Sequence, residues 1–191
     1  MIIERFFPTL IGYAINDTID NGDLANYCLK IKNEVKSGGK NWLSSDTYNT
    51  SDGKLDITKE EKFKPLNNWI SDRVNDYLNL IKSSDKVKLD GGWLNIYEKG
   101  NYQEYHNHPN CVISTIYFLD CDKNSSSVCF KSPYREMLTL KYKENTIDNF
   151  DVVCYKPENG KLLIFRSHLE HAVEKQINEG VRITLSHNFK I

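Results

Sequence analysis

The stretch VKLDGGWLNIYEKGNYQEYHNHPNCVISTIYFLD, residues 87–120, decides how the chain is read. Its flanks, VKLDGGWLNIYE and CVISTIYFLD, are short runs rich in aliphatic, β-branched and aromatic residues, which suit the pleated surface of a strand. Between them lie two histidines one residue apart, His106 and His108, six and eight residues after Gly100. On a strand, residues i and i+2 face the same side, so the two imidazoles are spaced to share one metal ion.

Further short runs follow: SSVCFK, FDVVCY, KLLIF, HAVEK and VRITLSHNF. They end at Gly, Asn or Asp and mark the segment 87–191 as the strands of a mainly β core. The preceding segment, 1–86, has helical periodicity. Leu24, Cys28, Ile31 and Val35 recur on one helical face after a cap at Asn21, and the run stops at KSGGK. Leu66, Trp69, Ile70, Val74, Tyr77, Leu78 and Ile81 trace a second apolar stripe with Pro65 in its first turn. The intervening WLSSDTYNTSDGKLD, residues 42–56, reads as a loop. CDKNSSS, residues 121–127, reads as a turn, and SPYREMLTLKYKENTIDN, residues 132–149, as an excursion; Ser125, Tyr134 and Arg135 are expected at the mouth of a site. No internal repeat or low-complexity segment interrupts the chain.

Composition bounds the function. At 191 residues and 39% hydrophobic content the expectation is a single domain, 1–191, with a sizeable core. The 25 basic and 26 acidic residues nearly cancel, so no global field favours nucleic acid or anionic lipid. MIIERFFPTLIGYAIND carries Glu4 and Arg5 within its apolar stretch, so neither export nor a membrane span is expected. Five cysteines without a C-x-x-C pair suit reduced thiols in a cytoplasm, the host's if the chain is of phage origin.

Two histidines are too few for a metal centre. In HLEHAVEKQINEGVRITLSHNF, residues 168–189, His171 precedes a Gly-containing turn and a strand that places Arg182, Thr184 and Ser186 on one face. Ten residues separate His171 from Arg182, a guanidinium suited to holding a carboxylate in a fork of hydrogen bonds.

Together these residues resemble the Fe(II)- and 2-oxoglutarate-dependent dioxygenases. The family pattern of H-x-[DE], a distal His, and then Arg or Lys followed by x-Ser or x-Thr matches His106-x-His108, His171, Arg182 and Thr184. Upstream, NIYEKGNYQEYHNH follows the form N-x-Y-x2-G-x5-H-x-[DH], by which Asn95 and Tyr97 inherit contacts to the cosubstrate. The strand VISTIYFL, the segment KPENGKLLIF and the ending RITLSHNF are similar to an uncharacterised microbial and phage branch in which H-x-H-P occurs. The resemblance implies a double-stranded β-helix, or jelly roll, with N-terminal supporting helices. It implies Fe(II) held by His106, His108 and His171, 2-oxoglutarate held by Arg182, Thr184, Tyr97 and Asn95, and O2 as co-oxidant. Hydroxylation of an unidentified small molecule or protein side chain, with release of succinate and CO2, is the implied reaction; a homodimer is compatible with it.

One position departs from the family pattern: His108 stands where a carboxylate is usual, leaving the site one unit more positive. Glu104, of the same strand parity, is the alternative carboxylate. His168 and His187 are expected to be structural or exposed, Tyr117 to be core or pocket wall rather than catalyst, and Trp93 to pack in the core, with pocket lining on the face of Asn95 as its alternative. A cupin-type metal enzyme shares Gly100-x5-His106-x-His108, but the Glu it needs is absent around Val112 and Ile113, and no His lies two residues after Gly160. A non-catalytic jelly-roll binding protein is the other alternative.

Overall fold

Alternation along four central strands places the core. In the computed structural model, which describes residues 1–40, 42–44, 46–134 and 140–191, ten strands and two α-helices occur in the order β1 (Ile11–Ile15), α1 (Asn21–Glu34), β2 (Tyr48–Asn49), α2 (Lys64–Leu80), β3 (Lys88–Tyr97), β4 (Gln103–His106), β5 (Ile113–Asp120), β6 (Val128–Lys131), β7 (Val152–Tyr155), β8 (Lys161–Arg166), β9 (His171–Val173) and β10 (Arg182–Lys190). They form a six-stranded antiparallel sheet, β1-β8-β5-β10-β3-β2, and a four-stranded one, β4-β9-β6-β7. Leu94, Ile96, Tyr117, Leu119, Leu162, Ile164, Ile183 and Leu185 of the large sheet pack against Leu24, Cys28 and Ile31 of α1 and Leu66, Ile70 and Val74 of α2. Their neighbours of opposite parity, Tyr97, Ile116, Phe118, Leu163 and Phe165, join Val128, Phe130 and Val173 of the small sheet. A strand buried on both faces reads as an unbroken apolar run, hence STIYFL and LLIF. The fold is a jelly roll supported by helices.

Several local expectations need correction. The α1 cap is Asp20, whose carboxylate accepts from the Asp23 backbone N–H, one residue before the expected Asn21. Asn21 instead accepts from the Tyr117 hydroxyl at 2.7 Å. The segment 1–86 is more than helix and loop. Tyr48–Asn49 inside the expected loop forms the edge strand β2, and Ile11–Ile15 forms β1 on β8. Both are short edge strands with little alternation of their own, so partner strands decide their state. The reduced-thiol expectation fails at Cys129 and Cys154, which are disulfide-bonded; β6 and β7 pair so that the two residues lie directly opposite. Cys28, Cys111 and Cys121 are free. Among the described residues no helix is long and apolar enough to cross a membrane.

Candidate active site

Parity and register assemble the site. On β10, Arg182, Thr184 and Ser186 have the parity opposite to the helix-facing Ile183 and Leu185, and they lie across from Tyr97, Asn95 and Trp93 of β3. Across the sandwich, His106 ends β4 and His171 begins β9, and the two are direct register partners. His108 lies beyond the end of β4, so strand alternation does not aim it as the sequence suggested. Its backbone N–H donates to the Ser167 carbonyl at 2.9 Å, which brings the ring beside the other two.

One ring nitrogen from each of His106, His108 and His171 lies within 4.8 Å of the others, and Nε2 of His108 is 3.3 Å from Nε2 of His171. The Nδ1 of His106 is 2.8 Å from the Glu104 carbonyl oxygen, and the Nδ1 of His171 is 3.0 Å from that of Leu169. A carbonyl only accepts, so both rings carry their proton on Nδ1 and turn an Nε2 lone pair to the shared centre. Burial keeps all three neutral: His106 is lowered, His108 falls to about 3 with a smaller contribution from His106, and His171 is held well below the usual imidazole value by burial and by the other two rings. Three neutral, converging imidazoles fit a borderline divalent metal such as Fe(II). Glu104 does not take part: its carboxylate accepts from the backbone N–H groups of Leu43 and Ser44 at 2.9 and 3.3 Å, and from the Gln103 amide at 3.1 Å.

That carboxylate ties down a loop whose Trp42 lies over His106, with ring centroids 6.5 Å apart. Trp93 takes the cavity-lining place that its parity with Asn95 allows rather than a place in the core, with its ring 5.3 Å from His108. The cavity runs from the histidines to Arg182, the largest fully buried side chain among the described residues. Arg182 Nε donates to the Ser126 carbonyl at 3.0 Å, and the guanidinium lies 4.6 Å above the Tyr97 ring and 5.4 Å from that of Phe118. Neither Nη atom has a hydrogen-bond acceptor among the described residues, nor do the Ser125 and Ser126 hydroxyls have partners. Burial raises the Tyr97 phenol against the opposing effect of Arg182, so it stays protonated and able to donate. A buried cation with two orphaned donors is costly in isolation and complementary to a carboxylate. Thr184 and Asn95 are buried in the same cavity, and the Asn95 amide donates to Ser186 Oγ at 3.2 Å.

Other predicted residues lie apart from the centre. His168 is exposed, while His187 is buried on Asn67. Tyr134 donates its hydroxyl to the Phe7 carbonyl, and Arg135 lies outside the described residues. Trp42 and Ser126 were not singled out by sequence, because each reaches the site from a loop without periodicity.

Residues 91–188 match the family model described as "Putative 2OG-Fe(II) oxygenase", a span containing Asn95, Tyr97, His106, His108, His171, Arg182 and Thr184. The chain belongs to this 2OG-Fe(II) oxygenase family. It is an enzyme of the oxidoreductase class, and Fe(II), 2-oxoglutarate and O2 are its cofactor and cosubstrates. No curated protein matches it in sequence. Among solved structures it is similar to a Pseudomonas putida prolyl-4-hydroxylase, with a TM-score of 0.61 and 12% identity over 96% of this chain and 94% of that one. HygX from Streptomyces hygroscopicus, solved with nickel, 2-oxoglutarate and hygromycin B, gives a TM-score of 0.63 and 13% identity over 95% of this chain and 83% of its own. The viral collagen prolyl hydroxylase of Paramecium bursaria Chlorella virus-1, in its 2-oxoglutarate complex, gives 0.58 and 14% over 95% and 96%. At these identities the likeness is one of fold.

Proposed function

We propose that the chain, acting as one domain, is a 2-oxoglutarate-dependent hydroxylase in which His106, His108 and His171 hold Fe(II), and Arg182, Thr184, Tyr97 and Asn95 hold the cosubstrate. The observation that carries this reading is Arg182: a buried guanidinium with both Nη atoms unpartnered, sharing a cavity with three converging imidazoles. The bound metal supplies the oxidising chemistry, in which 2-oxoglutarate, O2 and a substrate C–H give succinate, CO2 and a C–OH.

The residues then have distinct physical tasks. Burial holds the imidazoles neutral, the protonation state in which they bind a metal. With no ligand carboxylate, the centre keeps the full charge of the divalent ion, which favours a dianionic cosubstrate. Arg182 would offer its two free Nη donors to the carboxylate remote from the reacting carbon, and the Tyr97 and Thr184 hydroxyls would add donors. Trp42 and Trp93 wall the centre and limit water at it. The substrate is an unidentified small molecule or protein side chain; the prolyl hydroxylases and HygX named above differ in this respect, and fold alone does not choose between them.

The test is anaerobic Fe(II) titration, followed by succinate formation from 2-oxoglutarate in air. Wild type should bind one Fe(II), and His106→Ala and His171→Ala should each weaken that binding steeply. Iron affinity unchanged in both folded variants would refute the ligand assignment.

A further inference from the structure

We propose that Asn188 is the positioning residue for His108, and that its side-chain amide reverses when the metal binds, switching His108 between two neutral tautomers. The inference rests on the metal-binding reading above. It comes from a difference among the three histidines. The Nδ1 partners of His106 and His171 are backbone carbonyls, which accept whether or not a metal is bound. His108 has an ambidentate partner: its Nδ1 is 3.4 Å from Asn188 Nδ2. Asn188 is the fourth inward residue of the β10 row that contains Arg182, Thr184 and Ser186, and it lies opposite Ser114 of β5. Its Oδ1 is 2.8 Å from Ser114 Oγ, which is in turn 2.8 Å from Ser167 Oγ.

Following the protons gives one consistent arrangement without metal. His171 keeps its proton on Nδ1 for Leu169, so its Nε2 is a bare acceptor. His108 Nε2, 3.3 Å away, must then be the donor, and its Nδ1 accepts from the Asn188 amide. Ser114 donates to Asn188 Oδ1, and every group in the chain is satisfied. In that arrangement His108 presents an N–H to the centre and has no lone pair to give. Metal binding requires the proton to move from Nε2 to Nδ1 by way of solvent, with none gained or lost overall. Nδ1–H would then face an amide N–H, donor against donor.

Rotation of the Asn188 amide by half a turn removes the conflict. Oδ1 accepts from His108 Nδ1–H, Nδ2 donates to Ser114 Oγ, and the Ser114 hydroxyl turns to Ser167, a pair in which either oxygen can donate. Only an amide serves both states with the same shape. A carboxylate serves the metal-bound state alone, and an aliphatic side chain serves neither.

The experiment is long-range 1H–15N NMR on protein labelled at histidine nitrogen, without metal and with Zn(II) as a diamagnetic substitute, combined with Zn(II) titration of two variants. In wild type, His108 should change from Nε2–H to Nδ1–H on adding Zn(II), while His106 and His171 stay Nδ1–H. Asn188→Asp should hold His108 as Nδ1–H without metal and raise Zn(II) affinity about tenfold, and Asn188→Leu should lower it by roughly 10- to 100-fold. Wild-type His108 already Nδ1–H without metal, or Zn(II) affinity unchanged in the folded variants, overturns the proposal. If Asn188→Leu fails to fold, the wild-type tautomers and Asn188→Asp decide alone. Absence of any Zn(II)-induced shift at His106 and His171 overturns the metal-site reading itself, and the switch with it; shifts there with an unchanged His108 overturn the switch only.

Discussion

Arg182→Leu separates cosubstrate binding from metal binding. The substitution removes the guanidinium while keeping most of the volume of a side chain that is 0% exposed. Both Nη atoms are unpartnered and available to a carboxylate. Hydrogen bonds to a charged group are worth about 1.5–3 kcal/mol each, so two amount to about 3–6 kcal/mol, a loss of roughly 10²- to 10⁴-fold in 2-oxoglutarate affinity. Fe(II) binding should persist, because Arg182 makes no hydrogen bond to the three histidines. Two opposing effects act on the ligand-free fold. Removing an unpaired buried cation is favourable, while the Ser126 carbonyl loses its Nε donor, so stability should change by no more than about 2 kcal/mol. Ligand at a hundredfold excess over Kd stabilises by about 2.7 kcal/mol, which for a chain of this size is a melting shift of roughly 5–10 °C. Wild type with metal should show that shift in anaerobic thermal melts, and Arg182→Leu should not; calorimetry under the same conditions gives the affinities. Arg182→Lys should recover only part, because an ammonium lacks the bidentate fork. A folded Arg182→Leu protein that binds 2-oxoglutarate as tightly as wild type would refute the reasoning.

His108→Asp restores the commoner carboxylate and lowers the charge of the centre by one unit; the folded variant should still bind Fe(II), and complete loss in an anaerobic titration would mean that the site requires imidazole. Burial lowers His187 to about 4, below its unfolded value near 6.5. The unfolded chain therefore takes up a proton between those values, and stability falls as pH drops through that window, by about 3 kcal/mol from this residue. His187→Gln should reduce the slope of stability against pH there by one proton, about 1.4 kcal/mol per pH unit, and an unchanged slope in denaturant titrations would count against it. The Cys129–Cys154 disulfide closes a loop of sequence separation 25, so Cys129→Ala should cost about 3 kcal/mol under non-reducing conditions and little in excess reductant, read from the denaturation midpoint.

Much of the protein is legible along the chain because the relevant periods are local. The two apolar stripes that became α1 and α2 repeat at helical spacing, and Arg182, Thr184 and Ser186 alternate with Ile183 and Leu185, so their opposite faces follow from strand geometry alone. That Arg182, His171 and the H-x-H pair belong to one family pattern was also visible, since spacing is a property of the sequence.

Which segments become neighbours is settled by pairings distant in the chain. β1 and β2 exist through pairing with β8 and β3, and their own residues carry little strand signal. Cys129 and Cys154 meet because β6 and β7 fall in register, a non-local event that counting cysteines cannot anticipate. His108 reaches the centre through a backbone bond to Ser167, 59 residues further along the chain, and Trp42 through a loop that Glu104 holds by its carboxylate. The distinction between carbonyl partners for His106 and His171 and an amide for His108 is likewise tertiary. Propensity and alternation aim a side chain to one face of its own element; what it meets there depends on loop closure and strand register, which no local pattern encodes.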